Sequence, residues 1–148
     1  MILFLDFDGV LHPDITYGDS ALLCKLPILE GVLRRRSNVQ VVVSSTWREK
    51  RTLPELQSLF SADIAQRIID LTPAWRDVQD DANFGTYVRQ AEIEAWLRTT
   101  GRIWERWLAV DDQKHLFKPF CPNLFTTSPA TGLTEADAKV LELRLTTP

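Results

Sequence analysis

Apolar residues in this chain come either as short unbroken runs or as sets spaced like a helix face. Ile2–Leu5, Val39–Val43, Trp107–Val110 and Leu124–Thr126 are the run-like stretches, rich in branched and aromatic residues. A short apolar run bounded by polar turn residues predicts a strand buried on both faces, as in a parallel sheet covered by helices. Between the runs, Pro27 suits a helix first turn, followed by Ile28, Leu29, Val32 and Leu33 at helical spacing. A second helix is predicted from Thr86, through Val88, Ala91, Ile93, Ala95, Trp96 and Leu97, to a stop at Gly101. Thr134 to Asp137 reads as a capping box with Asp in place of Glu, opening a last helix through Val140, Leu141 and Leu145. Residues 49–83 read as irregularly helical, with Leu56, Leu59, Phe60, Ile64, Ile68 and Ile69, and form a candidate lid. Pro54, Pro73 and the acidic run Asp77 to Asp81 interrupt them, and the acidic run reads as a solvent-facing loop. Four short strands alternating with helices predict an α/β fold: a three-layer, Rossmann-like sandwich around a mainly parallel sheet, in one domain over residues 1–148.

The ends of three predicted strands carry the chemistry. The first runs into Asp6-Phe7-Asp8-Gly9, the second into Ser44-Ser45-Thr46-Trp47-Arg48, and the third into Asp111-Asp112. Side chains alternate along a strand, so Asp6 and Asp8 point one way and Phe7 the other. Parallel strands open their C-terminal ends onto one edge of the sheet, where α/β folds bind ligands. Several carboxylates gathered there raise each other's pKa, and a hard divalent cation relieves that repulsion. Oxygen-only ligands with water favour Mg²⁺. A carboxylate held beside Mg²⁺, hydroxyls and a cation is suited to attack phosphorus, with Ser44 and Ser45 holding phosphate oxygens and an Arg neutralising charge. Arg89, near a predicted helix start, and Arg48 are the candidate cations.

Bulk composition narrows the setting. The 148 residues carry 17 basic and 20 acidic side chains, a net charge of −3, which gives no electrostatic reason for tight nucleic-acid or membrane binding. Arg34 to Arg36 read as a solvated helix end that complements the helix dipole. Cys24 and Cys121 form neither a CxxC motif nor a disulfide framework and read as reduced thiols. Met1 leads into the first strand without a basic leader or a run long enough for a membrane span, so a cytoplasmic protein is expected. Of the five tryptophans, Trp96 and Trp107 fit core positions, and Trp47 alone lies near the expected cleft. His12, just behind the acidic pair, is expected in a loop or supporting role, and His115 in a structural or exposed one.

The order and spacing of these motifs resemble the haloacid dehalogenase-like (HAD) phosphohydrolase superfamily. Asp6-Phe7-Asp8-Gly9 matches its first motif, Ser44 its second and Asp111-Asp112 its acidic fourth. Arg89 stands where the family usually has Lys, keeping the charge on a bulkier group that does not titrate. The resemblance implies that Asp6 is a nucleophile forming an aspartyl-phosphate, and that Asp8 protonates the leaving oxygen and then activates water. It implies phosphate binding by Ser44. It further implies Mg²⁺ held by Asp6, the Asp8 backbone carbonyl, and Asp111 or Asp112. About 30 residues separate the first two motifs, too few for a large inserted cap beside the helix they must hold. Ser44 to Arg48 followed by Arg89-Gln90-Ala91-Glu92-Ile93 is similar to small HAD domains found beside RNA-repair modules. The resulting expectation is a Mg²⁺-dependent phosphatase with an open site for a phosphorylated small molecule or a nucleic-acid end, and no membrane partner. Two rival readings are a receiver-like phospho-acceptor switch and an inactive HAD scaffold that binds a partner. Ser44 at the end of the middle strand, where a receiver carries its acceptor Asp, argues against the first; the intact acidic set argues against the second.

Overall fold

The computed structural model describes residues 1–78 and 86–146. Five strands, β1 (Ile2–Leu5), β2 (Gln40–Val43), β3 (Ile68–Leu71), β4 (Trp107–Asp111) and β5 (Leu124–Thr126), form one sheet in the order β3-β2-β1-β4-β5. Every pairing is parallel. Five α-helices accompany it: α1 (Leu26–Arg35), α2 (Leu53–Gln57), α3 (Ala62–Ala65), α4 (Val88–Thr99) and α5 (Glu135–Thr146).

The two-residue period of the strands separates two cores. Leu3, Leu5, Val41, Val43, Leu108 and Val110 pack against Leu29, Val32 and Leu33 of α1 and Leu141 and Leu145 of α5. Ile2, Phe4, Val42 and Ala109 face the other way, against Ile93, Trp96 and Leu97 of α4 and Phe117. The result is the expected three-layer, Rossmann-like α/β arrangement, and residues 6–25 between β1 and α1 hold no inserted domain. The expected caps are present: Pro27 lies in the first turn of α1, and Thr134 and Asp137 exchange side-chain-to-backbone hydrogen bonds at 2.9 and 3.1 Å before α5.

Three expectations need correction. Residues 49–71 are not a lid: Leu56, Phe60, Ile64 and Ile68 are buried in the core beside α1. Ile68–Leu71 is an edge strand rather than helix, giving five strands where four are expected. Ile64 and Ile68 sit four apart and so mimic a continuing helix, but Arg67 between them donates to the Val39 and Leu33 carbonyls at the end of α1 and the start of β2, turning the chain into the sheet. On α5, Val140 is exposed, and the buried stripe is Ala138, Leu141 and Leu145. The basic run Arg34–Arg36 is ion-paired to Glu30, Asp63 and Glu142, which ties the end of α1 to α3 and α5. Of the acidic run, Asp77 closes an exposed 3₁₀ turn, while residues 79–81 lie outside the described residues.

Candidate active site

The register of the sheet assembles the site. Leu5 pairs with Val43 on one side and Val110 on the other, so the next residues, Asp6, Ser44 and Asp111, emerge side by side. The Ser44 N–H donates to the Leu5 carbonyl at 2.9 Å, and the Asp6 N–H to that of Val110 at 3.0 Å. Asp112 completes the acidic group by lying directly on Gly9. A Cβ at Gly9 would fall 2.3 Å from Asp112 Oδ2, and the residue also turns the chain at φ +73°. Thr127, from the end of β5, clamps the same loop by donating its hydroxyl to the Gly9 carbonyl at 2.7 Å.

Carboxylate oxygens of Asp6, Asp111 and Asp112 lie within 4.8 Å of one another. Burial pushes the Asp6 carboxyl up, to about 7, and the negative charge of Asp111 adds to the shift while Arg89 opposes it. Asp111 is raised by burial against the pull of Arg89. Asp112 is pushed up to about 6, again first by burial and then by Asp111. Asp112 Oδ1 is moreover buried without a hydrogen-bond partner. An orphaned carboxylate oxygen in a cluster of three, all of them hard oxygen donors, fits a divalent cation such as Mg²⁺.

Arg89 is the counter-charge inside this cluster. Its guanidinium lies 3.1 Å from Asp111 Oδ2 and 3.8 Å from Asp6 Oδ1, and it also pairs with Glu92 at 3.3 Å. Arg48, expected to grip phosphate, does something else. Its side chain is 4% exposed and donates to the carbonyls of Ser44, Ser45, Thr72 and Pro73, with Glu92 at 2.7 Å. Burial depresses its pKa, and Glu92 sustains its charge. Arg48 therefore braces the loop after β2 from behind. Ser45 is likewise used locally, its hydroxyl accepting the Trp47 N–H as the cap of the 3₁₀ turn Thr46–Glu49. Ser44 is left as the hydroxyl at the strand end beside Asp6.

Asp8 is not one of the three clustered carboxylates, although its charge reaches Asp112. Its Oδ1 accepts from His12 Nε2 at 2.8 Å, and the Trp47 indole N–H is shared between both of its oxygens at 3.2 Å. Beside Asp8 opens a groove of about 350 Å³ lined by Thr46, Trp47, Glu49, Lys50 and Arg51, with the Arg51 guanidinium 4.4 Å above the Trp47 ring.

Glu92 is the residue missed in the sequence. It is buried, joins Arg48 to Arg89, and accepts the Trp75 N–H at 2.7 Å; burial raises its pKa despite both arginines. The three-residue spacing from Arg89 is the one signal that pointed to it.

Comparison with curated proteins and with solved structures finds no match. A family model described as the HAD domain in Swiss Army Knife RNA repair proteins matches residues 2–138. That match spans all three strand ends that build the site, and the chain belongs to this family of HAD domains.

Proposed function

We propose that this HAD domain is a Mg²⁺-dependent phosphohydrolase working through an aspartyl-phosphate on Asp6. The observation that carries the reading is the trio of buried Asp6, buried Asp111 and half-buried Asp112 at one sheet edge, with an oxygen that has no hydrogen-bond partner among the described residues and Arg89 set against it. Asp6, the Asp8 carbonyl, Asp111 and Asp112 would hold the metal. When bound, Mg²⁺ neutralises the carboxylates and the phosphate oxygens they would otherwise repel.

The chain's own groups then divide the work. An Asp6 oxygen attacks phosphorus while Ser44 holds a non-bridging oxygen, and Arg89 keeps Asp6 and Asp111 oriented and balances charge. Asp8 gives its proton to the departing oxygen. It then takes a proton from the water that attacks the aspartyl-phosphate, so Asp6 is regenerated and inorganic phosphate leaves. The groove next to Asp8, where Trp47 stands among Glu49, Lys50 and Arg51, and the absence of an inserted domain in residues 6–25 favour a phosphate carried on a large substrate, and RNA repair in the family's description points to phosphorylated nucleic-acid ends.

Steady-state hydrolysis of an aryl phosphate tests this reading. Turnover should require Mg²⁺, stop with EDTA, and fall by at least about 10³-fold in Asp6→Asn, as for loss of a nucleophile. Equal activity in Asp6→Asn would refute it.

A further inference from the structure

His12 is a buried titratable side chain, 1% exposed, that the scheme above does not use. Its ring is tied at both nitrogens. Nδ1 accepts the Leu23 N–H at 3.3 Å, and Nε2 faces Asp8 Oδ1 at 2.8 Å. A ring that accepts at Nδ1 carries its proton on Nε2, so Nε2–H is the donor to Asp8. Leu23 presents its N–H from a left-handed backbone conformation, φ 58°, which an apolar branched residue seldom adopts. Strain at a residue whose N–H sets the tautomer of a buried histidine marks the contact as built. Trp47 supplies the second donor. Its ring packs on Phe7 and His12, with centroids 5.2 and 5.8 Å away, and Arg51 covers it, so its N–H is aimed as firmly as that of His12.

We propose that His12 and Trp47 are positioning residues that lock the Asp8 carboxyl and fix which of its oxygens carries the transferred proton. This rests on the phosphohydrolase reading. Among the described residues, Asp8 Oδ1 accepts two N–H groups, whereas Oδ2 receives only the shared Trp47 bond. Oδ2, facing fewer donors, is the oxygen left to carry the transferred proton in this scheme. In the first half-reaction the Asp6–P bond forms, the P–O bond to the leaving group breaks, and the Oδ2 proton moves to the leaving oxygen. In the second, water attacks phosphorus, the Asp6–P bond breaks, and a water proton returns to Oδ2. Neither His12 nor Trp47 touches the reacting atoms.

A general acid matters most when the leaving oxygen is basic, and this separates positioning from mere support of the fold. The test compares kcat/KM for p-nitrophenyl phosphate and for an alkyl phosphate in wild type, His12→Ala, His12→Gln and Trp47→Phe. His12→Ala should lose about 100-fold on the alkyl ester and less than about tenfold on the nitrophenyl ester, the size of a misplaced acid. His12→Gln places an amide N–H where Nε2 stood and should recover most of the alkyl-ester loss. Trp47→Phe keeps the ring packing and should show the same selective loss, only smaller; it decides the matter if His12→Ala does not fold. Equal losses on the two esters, or unchanged alkyl-ester activity in both variants, overturn the proposal while leaving the phosphohydrolase reading intact. Hydrolysis of neither ester by the wild-type protein overturns both.

Discussion

Asp6 and Asp8 stand two residues apart at one strand end, yet they occupy opposite environments. Asp6 is buried among like charges, with Asp111 and Asp112 for company and Arg89 as its cation. Asp8 is half-exposed and receives hydrogen bonds from His12 and Trp47. The first carboxylate lacks stabilisation that a metal and a phosphoryl group can bring; the second already has its partners. In the proposed scheme an identical residue type is thus set to two tasks by burial and by neighbours, one as nucleophile and one as proton carrier.

The largest effect is expected behind the Asp6 side. Arg48→Met removes the donor to four backbone carbonyls and leaves Glu92 with Arg89 alone. Breaking a buried pair in this way should cost about 3–5 kcal/mol in urea unfolding. A loss below about 1 kcal/mol, typical of exposed pairs, would mean that the brace is not structural.

The contrast itself predicts opposite signs for two like substitutions. Asp6 has its pKa raised, chiefly by burial, from 3.8 to about 7. The folded protein therefore keeps a proton that the unfolded chain has released, and without metal it loses stability as pH rises through that window. Asp6→Asn should stabilise the metal-free protein by about 4 kcal/mol at pH 7.5, with little gain near pH 4. Asp8→Asn puts an amide in front of two N–H donors and should instead destabilise by about 1 kcal/mol. Thermal or urea unfolding at the two pH values reads both, and the same sign for both would erase the distinction between the two sides.

How much of this was legible in the sequence follows from burial. β1, β2, β4 and β5 stand out because each carries an uninterrupted apolar stretch flanked by turn residues, and their polar ends brought Asp6, Ser44, Asp111 and Asp112 into view together. β3 hid because it carries Asp70, whose carboxylate accepts the Trp96 indole N–H at 2.7 Å. A strand polar in its middle, whose first residue Ile68 falls four after Ile64, gives no clean period. The two arginines were indistinguishable by type. Both are buried against Glu92, and only tertiary placement turns Arg89 toward the carboxylates and Arg48 toward the backbone. Glu92 was invisible because a carboxylate on a helix surface and one clamped between two buried arginines have the same letter and spacing. His12 follows the acidic pair closely in the sequence, but its contact at Nδ1 depends on the backbone at Leu23, which no local pattern announces.

The most direct test of the Asp6 side is to catch the covalent step. Wild-type protein mixed with Mg²⁺ and an aryl phosphate, quenched in acid within milliseconds to seconds and digested, should carry a phosphoryl group on the peptide containing Asp6. The label should decay as turnover proceeds, and it should be missing in Asp6→Asn and in EDTA. Turnover with no phosphorylated peptide, or a phosphoryl group found on another residue, would contradict the assignment of Asp6 as the nucleophile.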